Sequence, residues 1–151
     1  MLSLYPPFLG AGIRVRRLAG DPPGYETRLS LRFWNRNYHG THFGGAIYTM
    51  CDPFYVLILA AELGPGYAVW DKTATVRFRR PGRGTLKARF EVPRTKVELI
   101  RVAADAGERL EPVFLIEVRN DRGEVVAEVE KVLSVRRRDR DHERLEATSQ
   151  G

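Results

Sequence analysis

The sequence predicts a single α+β domain in which a curved antiparallel sheet of about six strands wraps around one long buried helix. Stretches of alternating polar and apolar residues occur in pairs, joined by short turns rich in Pro, Gly, Asn and Asp. The segment 45–63 is apolar on every side, and between Ala46 and Ala61 its only charged residue is Asp52. The chain has 151 residues, which is the usual size of one domain.

The strands follow from the period of two in the apolar residues. They are predicted at 13–18 and 25–33, at 67–79 and 85–92, and at 113–118 and 124–135. In the strand 67–79 the apolar row contains Ala68, Trp70, Ala74, Val76 and Phe78, and it is interrupted by Lys72. One face of the sheet is therefore apolar, and the helix 45–63 is the segment that covers it.

A shorter amphipathic helix is predicted over 95–107. Val97, Ile100 and Ala104 recur at helical spacing, and Gly107 provides a left-handed end. Beyond it and the last strand pair, the chain becomes a mixed-charge run. We therefore expect one domain over 1–135 and a charged, disordered tail over 136–151.

The composition limits the cellular location and the kinds of binding partner that we expect for this chain. The net charge is +6, from 25 Lys and Arg against 19 Asp and Glu, which suits an anionic partner without choosing among them. The single cysteine excludes an internal disulfide framework and a zinc site built on several thiolates, so a reducing cytoplasm is the expected location. We expect neither secretion nor a membrane span, because residues 1–12 do not resemble a signal peptide and the longest apolar stretch, 53–61, is short.

The main candidate catalytic residues lie in the segment 37–52. Gly44 and Gly45 open the apolar helix, where backbone N–H groups can approach developing negative charge. That arrangement describes an oxyanion hole, although a glycine pair at a helix start is also compatible with a simple tight turn.

Asp52 lies about two turns into this helix, among apolar residues. An unpaired carboxylate there is costly, so Asp52 is expected to have a partner or a function such as a general base. Pro53 removes one N–H and disfavours helical geometry at Asp52, which predicts a kink that aims the carboxylate. Cys51 points about 100° away around the helix and is expected to be a small core residue. His39 and His42 are either ligands or bases, or ordinary polar loop residues.

The run 37–52 resembles the signature of hotdog-fold acyl-CoA thioesterases, specifically the PaaI-like branch and its relatives described as tetrameric acyl-CoA thioesterases. The resemblance covers 6–136. Its members have an Asn, then His-Gly-Gly, then an Asp on the central helix. By this resemblance Asn37 orients substrate or water, the Gly44 N–H polarises the thioester carbonyl, and Asp52 acts as nucleophile or as base toward water. Phe43 stands where the His of the motif would be, with His42 one residue earlier.

The resemblance also implies a homodimer, often paired into a tetramer, with each active site built across the subunit interface. Asp52 of one subunit would then face the 71–77 region of the other. That makes a further set of residues candidates for substrate contact: Gly45, His42, Asp71, Lys72, Thr73 and Thr75. Lys72 is expected to form an ion pair with Asp52 or Asp71, or else to extend from the strand edge into water.

A basic hairpin lies between Lys72 and Glu91, a stretch without an acidic residue. Coenzyme A carries phosphates, so Arg80 and Arg83 are candidates for binding it, while a solvated strand face is an equally good interpretation. Nucleic acid is not expected as a partner, because Phe78 and Phe90 lie in the apolar phase. No metal or cofactor is expected, since no cluster has ligand spacing and coenzyme A enters as part of the substrate.

The leading functional hypothesis is therefore hydrolysis of an acyl-CoA thioester. A hotdog module that binds acyl-CoA or lipid without catalysis is the alternative. A 3-hydroxyacyl dehydratase fits less well, because such enzymes place an acid about one turn beyond Asp52, where this chain has Tyr55, Val56 and Leu57.

Overall fold

The computed structural model describes residues 2–138 and contains one six-stranded antiparallel sheet. The strands are β1 (Ile13–Leu18), β2 (Gly24–Ser30), β3 (Tyr67–Phe78), β4 (Thr85–Phe90), β5 (Val113–Arg119) and β6 (Val125–Arg137). The helices are α1 (Pro6–Ala11), α2 (Gly44–Thr49), α3 (Phe54–Leu63) and α4 (Arg94–Asp105), with 3-10 turns at Leu2–Leu4 and Phe33–Asn35. The order in the sheet is β1-β2-β4-β5-β6-β3, which confirms the predicted α+β class. Most of the predicted tail lies outside the described residues, but β6 includes its first two residues.

Aromatic rings attach α3 to the apolar face of the sheet. Phe54 is fully buried and stacks on Phe90, with ring centroids 4.6 Å apart, and on Phe8 of α1 at 5.9 Å. One residue further on, Tyr55 stacks on Phe114 of β5 at 4.2 Å. The start of α3 is therefore fixed against strands in the middle of the sheet and against the N-terminal segment.

The predicted helix 45–63 is divided into α2 and α3 by a turn. Pro53 has no N–H to donate to the preceding turn, and the Asp52–Pro53 peptide is cis. Asp52 therefore lies in the connection between the helices rather than inside a continuous helix. Taken as one stretch, 44–63 is long and apolar enough to cross a membrane by length and composition alone, but half of it is buried inside this domain.

β3 forms one edge of the sheet and carries a bulge. Asp71 pairs with Leu133 and Thr73 pairs with Val132, so Lys72 is the extra residue. The bulge reverses the side-chain alternation along β3. Asp71 is consequently on the same side of the sheet as Leu133, and the predicted single row from Ala68 to Phe78 is wrong for the residues before the bulge.

β2 ends at Ser30, so the prediction of a strand to Phe33 is wrong. The Asn35 side chain accepts a hydrogen bond from the Arg32 N–H at 2.7 Å and donates to the carbonyls of Ala11 at 3.0 Å and Ser30 at 2.9 Å. These bonds close the chain into a 3-10 turn and leave Phe33 on the surface.

Candidate active site

A cavity of about 580 Å³ lies between the 37–44 loop, the start of α2 and the turn from β3 to β4. Its lining includes six of the residues that the sequence analysis selected, namely Asn37, His39, His42, Gly44, Arg80 and Arg83. We call it the Gly44 cavity.

Gly44 presents an unused backbone donor at this cavity. Within residues 2–138, no acceptor bonds its N–H, as expected for the first residue of a helix. The Phe78 ring packs against its Cα, and a Cβ at this position would lie 3.1 Å from Phe78 Cζ. α2 has only six residues, so the N–H itself matters more than the helix dipole. Gly45 does not line this cavity, and a Cβ there would lie 2.5 Å from the Phe43 ring.

The Asn37 amide organises the loop. Oδ1 accepts hydrogen bonds from the N–H groups of His39 at 2.9 Å and Thr41 at 3.0 Å, and Nδ2 donates to Thr41 Oγ1 at 2.8 Å and the His42 carbonyl at 3.3 Å. Both amide hydrogens and both acceptor positions are therefore used. In this geometry Asn37 positions the loop that leads to Gly44, and its role in orienting substrate or water stays a prediction.

His42 joins the same loop to the β3–β4 turn. Its Nε2 lies 2.8 Å from the Gly84 carbonyl, and because a carbonyl only accepts, Nε2 carries the hydrogen. Burial lowers the pKa of His42 and outweighs the opposing effect of the Gly84 hydrogen bond. The neutral ring consequently has a buried Nδ1 acceptor with no partner in the described residues. His39, by contrast, is exposed.

Carboxylates from elsewhere in the chain neutralise part of the positive charge of the basic hairpin. Arg79 pairs with Glu128 at 2.7 Å, and Arg80 pairs with Glu124 at 2.7 Å, because the neighbouring β6 segment supplies the acids. Arg83 has no carboxylate partner in the part of the chain that the structure describes. Arg83 is therefore the cation of the Gly44 cavity that is most available to an anionic ligand.

A second constellation surrounds Asp52. Lys131 Nζ lies 2.7 Å from Asp52 Oδ1 and 2.8 Å from Asp71 Oδ2, and it donates to the Tyr48 hydroxyl at 3.3 Å. Lys131 is 1% exposed, whereas the side chains of Asp52 and Asp71 are 42% and 31% exposed. A buried cation thus holds two carboxylates that still reach the surface.

The pKa shifts agree with this arrangement. Burial lowers the pKa of Lys131, but hydrogen bonds to Asp52 and Asp71 and the attraction of both carboxylates raise it above the ordinary lysine value. The pKa of Asp71 is raised, first by burial and also by the neighbouring Asp52, against the opposing effect of Lys131. Lys131 is therefore a cation at neutral pH.

Lys131 is the site residue that the sequence analysis missed. Its side chain is on the same face of β6 as Val129 and Leu133, a row of side chains that is otherwise apolar and buried. A lysine in such a row needs an anionic partner, and this signal was present in the sequence.

The same geometry places Lys72 and Asp71 of β3. Of the two positions expected for Lys72, the structure has the one at the strand edge, where Lys72 pairs with Glu111 at the surface. The bulge directs it away from Asp52 and Asp71. Asp71 meets Asp52 of its own chain through Lys131, and the approach of Asp52 to the 71–77 region of a second subunit stays a prediction.

The remaining candidates lie apart from these two places. Thr73 and Thr75 are exposed on β3 and do not line the Gly44 cavity. Cys51 is fully buried, and burial raises its pKa to about 12, which confirms it as a core residue. Asp52 does not line the Gly44 cavity either. A single chain therefore keeps its free N–H donor and its lysine-held carboxylate in separate places.

Comparison with solved structures identifies the class to which this fold belongs. A Pseudomonas aeruginosa protein of unknown function, PA5026, described as a probable thioesterase, is 20% identical with a TM-score of 0.77, covering 87% of each chain. Thioesterase HI1161 from Haemophilus influenzae is 17% identical with a TM-score of 0.65, covering 90% of this chain and 86% of its own. The TT0310 protein from Thermus thermophilus is 24% identical with a TM-score of 0.59, covering 87% of this chain and 97% of its own.

These similarities establish a hotdog fold. The chain belongs to the family of the domain of unknown function DUF4442, whose model matches residues 1–135. No functionally curated protein matches the chain.

Proposed function

We propose that this protein hydrolyses acyl-CoA thioesters. The observation that carries the proposal is the combination of an unused Gly44 N–H at a cavity and an exposed carboxylate, Asp52, held by a buried lysine. The spacing of the two residues matches the thioesterase signature that the sequence resembles. The name of the Haemophilus influenzae structure, a thioesterase of similar fold, supports the same reaction class.

Two copies of the chain would build each site. Gly44 lines its cavity and Asp52 does not, whereas one thioester carbonyl group must lie about 3 Å from both donor and nucleophile. β3 is an edge strand of twelve residues with no neighbour on its outer side in the described chain. Pairing of this edge with its copy is the proposed homodimer, and two such dimers would form a tetramer.

The proposed reaction uses each group for one task. The thioester oxygen accepts a hydrogen bond from the Gly44 N–H, which stabilises the negative charge that develops there. Asp52 either removes a proton from a water that attacks the acyl carbon or attacks that carbon itself, after which water releases the acid. The carbon–sulfur bond breaks and the sulfur leaves as a thiolate. It takes up the proton that Asp52 removed from water or, if Asp52 attacked the carbon, a proton from solvent, which gives the thiol of coenzyme A. Lys131 positions Asp52, and Arg83 with Arg80 binds the coenzyme A phosphates.

The activity test is thiol release from a panel of short, long and aryl acyl-CoAs. We expect turnover of at least one member, and loss of that turnover in Asp52→Asn with the circular dichroism spectrum retained. Full activity in Asp52→Asn would reject the mechanism.

A matched pair of variants tests the oxyanion donor. Gly44→Pro removes the N–H at the first helical position, where proline is tolerated, and the extended Phe43 backbone (φ −65°, ψ 129°) suits a following proline. Gly44→Ala adds a Cβ against the Phe78 ring but keeps the N–H. We expect kcat to fall about 100- to 1000-fold in Gly44→Pro and far less in Gly44→Ala. Equal losses would assign Gly44 a packing role only.

A non-catalytic acyl-CoA-binding module is the second candidate. The Asp52–Lys131 ion pair favours it, because this pairing gives the carboxylate a structural reason to be present. Tight acyl-CoA binding by the wild-type protein without thiol release from any substrate would select this function.

A further inference from the structure

A second cavity lies on the outer face of β1 and β2. Ile13 and Leu29 of these strands are buried in the core, so the alternate residues Arg14 and Arg28 face the other side of the sheet. This cavity has a volume of about 670 Å³, within the range of small-molecule sites, and shares no lining residue with the Gly44 cavity. We call it the outer cavity.

Four cations form one row across the strands beside the outer cavity. In the strand register, Arg14 of β1 lies opposite Arg28 of β2, Arg28 lies opposite Lys87 of β4, and Lys87 lies opposite Arg119 of β5. Like charges directly opposite one another destabilise a sheet. The row therefore requires negative charge from another source.

The chain itself supplies negative charge to only one end of the row. Lys87 pairs with Asp121 at 3.6 Å, and Arg119 pairs with Glu117. Arg28 has Glu26 at 4.0 Å, but Glu26 lies closer to Arg16, at 3.1 Å.

The other end of the row lacks such compensation. Arg14 has no carboxylate partner among residues 2–138, and neither has Arg32, the third arginine that lines the outer cavity. The lining also contains one carboxylate, Asp121, which pairs with Lys87. The uncompensated positive charge of the lining therefore lies on Arg14 and Arg32, at the end away from Asp121.

The rest of the lining suits an aromatic group beside an anion. The indole of Trp34 is 56% exposed, and Leu9, also in the lining, is exposed. Ser30 and Thr85 add hydroxyl groups, which lie 3.3 Å apart. Guanidinium groups bind phosphate oxygens bidentately, and an exposed indole stacks on a base.

We propose that the outer cavity binds a nucleotide, with its phosphates on Arg14 and Arg28 and its base against Trp34. This proposal goes beyond thioester hydrolysis and does not depend on it. The ligand class follows from two adjacent guanidinium groups that the chain compensates weakly or not at all, together with an exposed aromatic ring in the same lining.

Calorimetric titration of the full chain with ADP tests the proposal, with adenosine and inorganic phosphate as the two partial ligands. We expect ADP to bind more tightly than either. Arg14→Gln and Arg28→Gln should each weaken ADP binding about tenfold or more. The matched control is Arg17→Gln, an exposed arginine of the same strand outside the cavity, which should leave ADP binding unchanged.

Several outcomes would overturn the assignment. They are the absence of ADP binding at millimolar concentration, and equal weakening by Arg17→Gln. Loss of ADP binding in Arg80→Gln/Arg83→Gln, with binding retained in Arg14→Gln and Arg28→Gln, would place the nucleotide in the Gly44 cavity instead. Binding to anionic phospholipid vesicles without binding to ADP would identify a membrane surface. Circular dichroism spectra and melting temperatures that match those of the wild-type protein show that both variants are folded.

Discussion

At the residue scale, the ion pair between Asp52 and Lys131 explains why each of these charged residues occurs where it does. Lys131 sits in a buried apolar row of β6, where an unpaired ammonium is costly, and Asp52 sits in the turn between α2 and α3. The Nζ–Oδ1 distance of 2.7 Å fixes one oxygen of Asp52 and leaves the carboxylate 42% exposed. A carboxylate in this state is oriented and still accessible to a reactant.

Replacing Lys131 by methionine tests this pairing. Lys131→Met keeps the length of the side chain but leaves two neighbouring carboxylates without their cation. We expect the free energy of unfolding in urea to fall by about 2–4 kcal/mol, and kcat to fall with it because Asp52 is no longer held.

The control for this change is Lys87→Met, which removes a surface lysine that lies 3.6 Å from Asp121. We expect it to cost less than about 1 kcal/mol. Equal losses in the two lysine variants would contradict the role given to Lys131. Neutralising both acids in Lys131→Met/Asp52→Asn/Asp71→Asn should recover part of the stability.

His42 makes stability depend on pH. Its folded pKa is lowered below the ordinary 6.5, so between the two values the unfolded chain binds more protons than the folded chain. The contribution of His42 is therefore complete above about pH 6.5 and is lost as the pH falls through the folded pKa. Melting temperatures measured between about pH 5 and pH 8 should fall on the acid side. His42→Asn should flatten this dependence, whereas substitution of the exposed His39 should not; a wild-type curve unchanged by His42→Asn would exclude the assignment.

Sequence reasoning found Asp52 and Gly44 but missed Lys131, for a physical reason. Asp52 is conspicuous because it is the one charge in a long apolar segment. Lys131 follows Glu128 and Glu130, and in such surroundings a lysine resembles an ordinary surface residue until the strand phase is assigned. The opposite error occurred at Lys72. Alternation assigned this residue to the apolar face of β3, but the bulge changes which residues lie on that face.

At the element scale, the alternation and helical patterns predicted the sheet and both principal helical segments, with ends within a few residues. Three features depend on contacts that alternation does not encode. They are the bulge at Lys72, the early end of β2 at Ser30 and the short helix α1. The early end of β2 depends on the Asn35 side chain, whose partners at Ala11 and Ser30 become neighbours only after folding.

The aromatic attachment of α3 predicts a large difference between two apolar substitutions. Phe54→Ala removes a fully buried ring stacked between Phe90 and Phe8, and we expect a loss of about 3–5 kcal/mol in urea unfolding. Leu99→Ala changes a side chain of α4 that is 72% exposed, and we expect a change within about 0.5 kcal/mol. A loss below about 1 kcal/mol in Phe54→Ala would contradict the packing described for α3.

At the scale of the whole molecule, the unpaired edge of β3 and the separation of Gly44 from Asp52 both favour a dimer. Aromatic side chains of β3 and of the residue before α2 are exposed, including Phe78 at 57%, Phe43 at 58% and Trp70 at 50%. A dimer along β3 would cover an edge that is otherwise a template for aggregation. The sequence predicted a dimer only through its resemblance to a family, because the residue pattern of one chain does not show which of its surfaces contact a second copy.

Light scattering on a sizing column tests the assembly. We expect a mass of at least twice 17.2 kDa for the wild-type protein. Ala74→Glu places a charge on the exposed part of β3 and should shift the mass toward the monomer and reduce thiol release. Val102→Glu, on an exposed position of α4, should not separate the dimer. A wild-type monomer with full activity would rule out a shared site.

The most direct measurement of a site shared between chains mixes two inactive variants. Asp52→Asn and Gly44→Pro proteins, unfolded and refolded together in equal amounts, form mixed dimers that contain one intact pair of Gly44 and Asp52. Random pairing makes about half of the dimers mixed, so the mixture should recover about a quarter of the thiol-release activity of wild-type protein refolded in the same way. Activity no higher than that of the two variants refolded separately would contradict a site built from Gly44 of one chain and Asp52 of the other.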